Sequence, residues 1–75
     1  MARRKVMKQN PRKVWEESLA DISRGGRRLA AVEGFDAFTG DMLRADLITL
    51  DEFVATQTVI AAALAGARQF DRAVV

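Results

Sequence analysis

Six cationic side chains lie within the first thirteen residues of the chain, and no carboxylate lies among them. They are Arg3, Arg4, Lys5, Lys8, Arg12 and Lys13. Clustered ammonium and guanidinium groups neutralise phosphates and release their counterions, which gives affinity for nucleic acid without sequence preference. The same charges also suit an acidic protein groove. We therefore predict a basic arm over residues 1–10 that contacts, with Arg12 and Lys13, either nucleic acid or an acidic protein surface.

The rest of the chain carries the opposite charge. Residues 14–75 hold six arginines and ten acidic residues, so their net charge is −4, against +6 for residues 1–13. At physiological salt the Debye length is about 8 Å, so charges spread over a folded body do not cancel the field close to the arm. The sequence therefore predicts a basic arm joined to an acidic body.

Catalytic chemistry has few candidate residues. The chain has no histidine and no cysteine, so the usual general base, thiol nucleophile and soft metal ligands are missing. Ser18 and Ser23 have no recognisable activating partner. The pairs Glu16–Glu17 and Asp51–Glu52 stand at predicted helix starts, where the helix dipole accounts for them. We predict a protein that is not an enzyme and that has no metal, no cofactor and no small-molecule substrate.

The composition predicts an all-α fold. Hydrophobic residues make up 49% of the 75 residues, with four Phe and no Tyr, whereas strands favour β-branched and aromatic residues. A chain of this length forms one small domain. We expect a hairpin-like helical domain over residues 11–75, with two main helices, roughly 11–33 and 50–71, and a short helix over 41–47.

The first helix has a clear start. Asn10 suits the N-cap and Pro11 the first helical position. Apolar residues then recur at helical spacing from Trp15 to Leu29, and this pattern favours Trp15 as a core anchor over a base-stacking side chain. Gly25–Gly26 interrupts the pattern and predicts either a break or a kink. Both alternatives stay open.

Local signals also place the later elements. Gly34 suits a helix stop, residues 34–41 a connection and Asp41 a cap for the short helix. Thr49 and Glu52 have the spacing of a capping box at the start of the last helix. Replacing Thr49 by alanine is expected to cost roughly 1 kcal/mol of stability, and replacing Thr56 much less.

The stretch "LRADLITLDEF" at this boundary resembles the short helix–turn–helix of SHOCT domains, in which a Gly/Ile-Thr-x-x-Glu-Phe pattern starts the second helix. The resemblance covers about a dozen residues, most of which are general capping chemistry. It implies a small helical element for oligomerisation or attachment.

The most informative segment is "VIAAALAGA" (59–67), which is apolar on every face of a helix. Such a helix is buried on all sides, and one other large helix does not cover it. We predict that one stripe faces the first helix and that a second stripe binds a protein partner or another copy. The second stripe consists of Val59, Ala63, Ala67, Phe70 and Val74. The alternative is that alanine, which tolerates exposure, carries no such meaning.

The same region is not predicted to span a membrane. Residues 53–67 lack charge over 15 positions, but three polar residues interrupt them and a span needs about 20 mostly apolar residues.

The leading functional interpretation is a non-enzymatic assembly protein, such as a phage- or mobile-element-like adaptor, inhibitor or minor structural protein. It would be cytoplasmic, or packaged within a virion if of phage origin. The alternative starts from "NPRKVWEESLADISRGG" (10–26), which resembles ribbon-helix-helix repressors. That resemblance implies a dimeric DNA-binding regulator in which a strand near "KVMKQ" enters the major groove. The segment lacks the alternation of such a strand.

Overall fold

The computed structural model describes the backbone of residues 10–74 and the side chains of residues 10–69. Three helices follow one another: α1 (Pro11–Ser23), α2 (Leu29–Arg44) and α3 (Leu50–Val74). Each helix contacts the other two, and α2 packs most extensively on α3. Residues 10–74 contain no strand, so the predicted all-α class is confirmed. The predicted basic arm covers residues 1–10, of which residues 1–9 lie outside the described part of the chain.

Helix α1 begins at the predicted residue. The Asn10 side chain accepts a hydrogen bond from the Arg12 backbone N–H at 3.0 Å, and Pro11 occupies the first turn. The helix ends at Ser23, and non-helical backbone follows until α2 begins at Leu29. Gly25 and Gly26 lie there with φ of +80° and +73°. Residues with a side chain rarely adopt this left-handed backbone conformation, so glycine suits both positions.

The middle of the chain differs from the prediction, because it forms a single helix, α2. The expected stop at Gly34, the connection over 34–41 and the separate helix over 41–47 are wrong, because one helix of 16 residues runs through them. Asp41 lies in its last turns and does not cap a helix start. The architecture therefore has three main helices instead of two.

Burial explains why α2 continues through two glycines. Four of its residues, spaced three or four apart, are buried: Val32, Phe35, Thr39 and Met42. A glycine costs a helix about 1 kcal/mol relative to alanine. Burying a side chain such as phenylalanine or methionine contributes about 1.5–3 kcal/mol, so packing outweighs local propensity here.

The turn between α2 and α3 ends α2 with two backbone hydrogen bonds. The Leu47 N–H donates to the Met42 carbonyl at 2.9 Å, and the Asp46 N–H donates to the Leu43 carbonyl at 3.0 Å. Asp46 has a φ of +60°. This pattern is the Schellman motif, in which the left-handed residue is usually glycine.

Helix α3 starts with the predicted capping box, which is confirmed. The Glu52 N–H donates to the Thr49 hydroxyl at 3.1 Å, and the Thr49 N–H donates to the Glu52 carboxylate at 2.8 Å. Ile48, just before the box, is buried in the core, and Phe53, just after it, is half-buried and packs against the core. The helix ends at Val74, three residues beyond the predicted end.

Trp15 lies at the centre of the core, as predicted. It is 2% exposed and stacks on Phe35 with ring centroids 6.4 Å apart. Its indole N–H donates to the Thr39 hydroxyl at 3.0 Å, and that hydroxyl donates to the Phe35 carbonyl at 2.8 Å. This buried network satisfies both polar side chains and joins α1 to α2.

Candidate functional site

Arg12, one of the predicted nucleic-acid contacts, connects three parts of the fold. Its guanidinium donates to Glu16 at 3.1 Å, to the Leu47 carbonyl at 2.9 Å and to both carboxylate oxygens of Glu52, one of them at 3.0 Å. The same group lies 5.8 Å from the centroid of the Trp15 ring. With its donors directed at these acceptors, Arg12 joins α1 to the start of α3.

The carboxylate of Glu52 is held in its charged form. Hydrogen bonds from Arg12, and secondly from the Thr49 backbone N–H, lower the pKa of Glu52 from its ordinary 4.5 to about 2. Glu52 therefore completes the capping box and also forms an ion pair with Arg12 of α1. Its chemistry here is structural.

The other predicted cations fall into two groups. Lys13 is exposed on α1 and is available to a phosphate or an acidic group. Arg3, Arg4, Lys5 and Lys8 lie outside the described residues. The six predicted cations are thus not brought together in the described part of the chain, where Arg12 and Lys13 differ in role.

Three of the five predicted protein-interface residues, namely Val59, Ala63 and Ala67, lie toward the interior of the fold. Ala67 is 2% exposed and belongs to the core, so its inclusion in a free surface is wrong. Val59 and Ala63 are half-buried and pack against the core. The side chains of Phe70 and Val74 lie outside the described residues. Two helices, α1 and α2, pack against α3 where one large helix was expected, because residues 29–44 form a full-length helix.

Val59 and Ala63 still line a groove. It has a volume of about 380 Å³ and lies between the C-terminal end of α1 and α3. Ile22 at the end of α1 and Gly25 just after that helix form one side, and Ala62 lies on its α3 side. The groove is mainly apolar and opens beside the outward-facing surface of α3.

That outward-facing surface consists of residues that the sequence pattern did not indicate. Six exposed positions follow one another at alternating spacings of three and four, and we call them the outer seam: Asp51, Val54, Thr58, Ala61, Ala65 and Arg68. Leu50 flanks the seam. Leu50 and Val54 are 63% and 60% exposed, although both are large and apolar. Between Asp51 and Arg68 the seam carries no charge.

A signal for the outer seam was present in the sequence but was not decisive. Two heptad rows, 51-58-65 and 54-61-68, can be read directly from the residue numbers. The parallel rows 53-60-67 and 56-63 fit the same spacing, and those residues face α1 and α2. Only the position of α2 in the fold shows which of these two sets of rows is exposed.

Helix α3 also meets the length and composition criteria for a membrane span. Leu50–Gln69 has a mean hydropathy of 1.2, and 17% of it is buried in the fold. Core helices of soluble proteins and signal sequences meet the same criteria. The predicted absence of a span stays a prediction.

The described residues offer no obvious centre for metal chemistry, because no three metal-ligating side chains come together among them. Comparison of the chain with protein-family models, with curated proteins and with solved structures finds no match. The outer seam of α3 is the candidate site that we consider further, and the case for it is its exposure and its residue spacing.

Proposed function

We propose that the protein is a non-enzymatic helical assembly protein that binds another protein surface through the outer seam of α3. The partner surface belongs to a second copy or to a larger protein. The basic arm contacts nucleic acid or an acidic protein surface within that assembly. One observation carries the proposal: the seam is exposed over its whole length and is free of charge between its ends.

The exposure of large apolar side chains supports an interface at this position. Burying a leucine or valine contributes about 1.5–3 kcal/mol, and Leu50 and Val54 keep most of that surface in water. The alanines beside them lose little side-chain entropy on binding, and they allow a partner backbone to come close. Exposed apolar surface of this kind marks interaction sites when it is contiguous.

The described part of α1 favours assembly over the alternative of a DNA-binding regulator. That alternative relies on the arm and the first helix for recognition. Trp15 is buried and Arg12 is bound to Glu52, which leaves Lys13 as the exposed cation of α1. We therefore assign the arm a positioning role, since phosphate contacts carry no sequence information.

The size and composition of the chain suit an adaptor, an inhibitor or a minor structural protein of the kind found in phages and mobile elements. A protein of this type acts in the cytoplasm or is packaged in a virion. The helical fold and the exposed seam of α3 are compatible with each of these roles.

Affinity capture from the native host, followed by mass spectrometry, tests the proposal. The bait is the full chain, compared with Val54→Glu in the seam and with Ala20→Glu as a matched control at an exposed position of α1. We expect the unaltered chain and the control to retain the same proteins, the chain itself included, and Val54→Glu to lose them. Equal recovery by all three baits would refute a role for the seam.

A further inference from the structure

We propose that the partner of the outer seam is a second copy of this chain, bound with the two α3 helices antiparallel. This inference rests on the proposed function and deepens it by naming the partner. The two-fold axis passes between the levels of residues 59 and 60. The arrangement follows from the spacing of the seam, from the charges at its ends and from the sizes of the residues between them.

The spacing is that of a coiled coil. Seam residues recur at intervals of three, four, three, four and three from Asp51 to Arg68, which keeps one line of a helix facing a partner helix. The opposite side of α3 has the same spacing from Phe53 through Ile60 to Ala67, and the chain's own helices cover it. Helix α3 therefore has two packing seams, of which one is occupied within the molecule.

The charges select the antiparallel orientation. Asp51 and Arg68 occupy the two ends of the seam, and neither forms an ion pair with another residue in the described part of the chain. Residues equidistant from the axis share a layer in an antiparallel pair, so Asp51 meets Arg68 of the second copy. In a parallel pair the layers join like residues, and each charge meets its own kind, which is unfavourable.

The residue sizes fit the same register. The layer inside each charged pair joins Val54 to Ala65 of the second copy, and the central layers join Thr58 to Ala61. Each of these layers pairs a larger side chain with a small one, so the helix axes approach to about 8 Å. Antiparallel helices also bring the positive end of each dipole beside the negative end of the other.

The expected complex is weak. Seventeen steps from Asp51 to Arg68 at about 1.5 Å each give a contact of roughly 26 Å. A contact of one helix with one helix over this length buries less than the roughly 800 Å² per partner of a standard interface. We therefore expect a dimer with a micromolar dissociation constant that separates on dilution.

Disulfide cross-linking reads the register directly, because the chain has no native cysteine. A disulfide needs Cα atoms within about 7 Å. Full-length Val54→Cys and Ala65→Cys chains, distinguished by mass, are mixed and mildly oxidised. We expect the mixed dimer to exceed either homodimer at least fivefold, with Ala20→Cys giving only background. A dominant Val54→Cys homodimer, or no product above background, would overturn the antiparallel pair.

Charge reversal gives a second readout that a folding defect does not imitate. The same cross-link is measured after adding Asp51→Arg or Arg68→Asp to both chains, and after adding both changes together. We expect each single reversal to lower the yield severalfold and the double reversal to restore it. Failure of the double reversal to restore the yield would overturn the charge pairing.

Failure of this inference and failure of the proposed function remain distinguishable. If the seam cysteines do not cross-link while host proteins still require Val54 for capture, the second copy is wrong and the assembly function stands. If capture is also independent of Val54, both are wrong.

Discussion

At the scale of single residues, Arg12 shows how a charge pattern differs from a charge environment. Six cations near the start of the chain predict phosphate contacts, yet Arg12 donates to Leu47 and Glu52, which lie 35 and 40 residues further along. A local sequence pattern cannot identify hydrogen-bond acceptors that are this far away along the chain. Trp15 was predictable because its spacing to Leu19 and Ile22 places it on a core face. Its partner Thr39 was not, because a single threonine inside a presumed loop carries no signal.

The bond between Arg12 and Glu52 predicts a pH dependence. The pKa of Glu52 is lowered in the fold from 4.5 to about 2, so this carboxylate stabilises the fold above its unfolded pKa. That stabilisation is lost as pH falls from about 4.5 towards 2, because the folded state then resists the proton that the unfolded state accepts. Thermal melts across this range should show a falling Tm.

Replacing Glu52 by glutamine isolates this contribution. Glutamine still accepts the capping hydrogen bond, but it cannot titrate. We expect Glu52→Gln to lower the Tm at neutral pH and to make the profile between pH 4.5 and 2 less steep. Glu33→Gln, at an exposed position of α2, serves as the control. Identical profiles for the two variants would contradict the account of Glu52.

Among the helices, the sequence allows prediction of those boundaries that neighbouring side chains determine. The starts of α1 and α3 depend on side chains within three residues, namely Asn10, Thr49 and Glu52, and both were correctly placed. The extent of α2 depends on burial of Phe35 and Met42 against other helices. Sequence propensity predicted a helix end at Gly34 and a connection over residues 34–41, and tertiary packing overrides that propensity.

Glycine substitutions of opposite sign test this view of α2. Gly34 lies in the interior of the helix, where an added Cβ would meet no other atom within 4 Å, so Gly34→Ala should stabilise the fold by up to about 1 kcal/mol. Gly25 has a φ of +80°, so Gly25→Ala should destabilise it by about 1–2 kcal/mol. Chemical denaturation of both variants measures the difference. A destabilising Gly34→Ala would indicate that α2 does not continue through residue 34.

The capping box at the start of α3 carries its own expected cost. Thr49→Ala removes the acceptor for the Glu52 N–H and should destabilise the fold by roughly 1 kcal/mol. Thr56, expected from sequence to matter little, is buried and its hydroxyl donates to the Glu52 carbonyl, so it is not a neutral control. Thr58 is exposed, so Thr58→Ala is the neutral control, measured on dilute, monomeric protein. Equal losses for Thr49→Ala and Thr58→Ala in denaturant titrations would contradict the capping role.

At the scale of the whole molecule, the charge of the arm is separate from the packing of the helices. Deleting residues 2–8 removes four of the six clustered cations. Far-ultraviolet circular dichroism should show unchanged helix content, while binding to duplex DNA at low salt should disappear. In the intact chain, log affinity should fall with log salt by about 0.9 for each phosphate contacted. An intact chain without affinity at low salt, or a deletion that unfolds the protein, would show that the arm is a docking or structural element.

The interaction surface also belongs to this scale. The apolar segment 59–67 predicted an interface on α3, but the choice between its faces depends on where α1 and α2 lie. Alanine is often buried but also tolerates an exposed face, so its presence does not identify which face is exposed. Ala67 therefore entered the predicted surface although it is buried, and Val54 did not although it is exposed.

Sedimentation velocity tests directly the proposed pairing of this chain with a second copy through the outer seam of α3. The full chain, Val54→Glu and Ala20→Glu are compared from low to high micromolar concentration, after circular dichroism has shown equal helix content. If the copies pair through the seam, the sedimentation coefficient rises with concentration for the unaltered chain and for Ala20→Glu, and stays at the monomer value for Val54→Glu. Identical behaviour of all three proteins, whether monomeric or associated, would contradict this pairing.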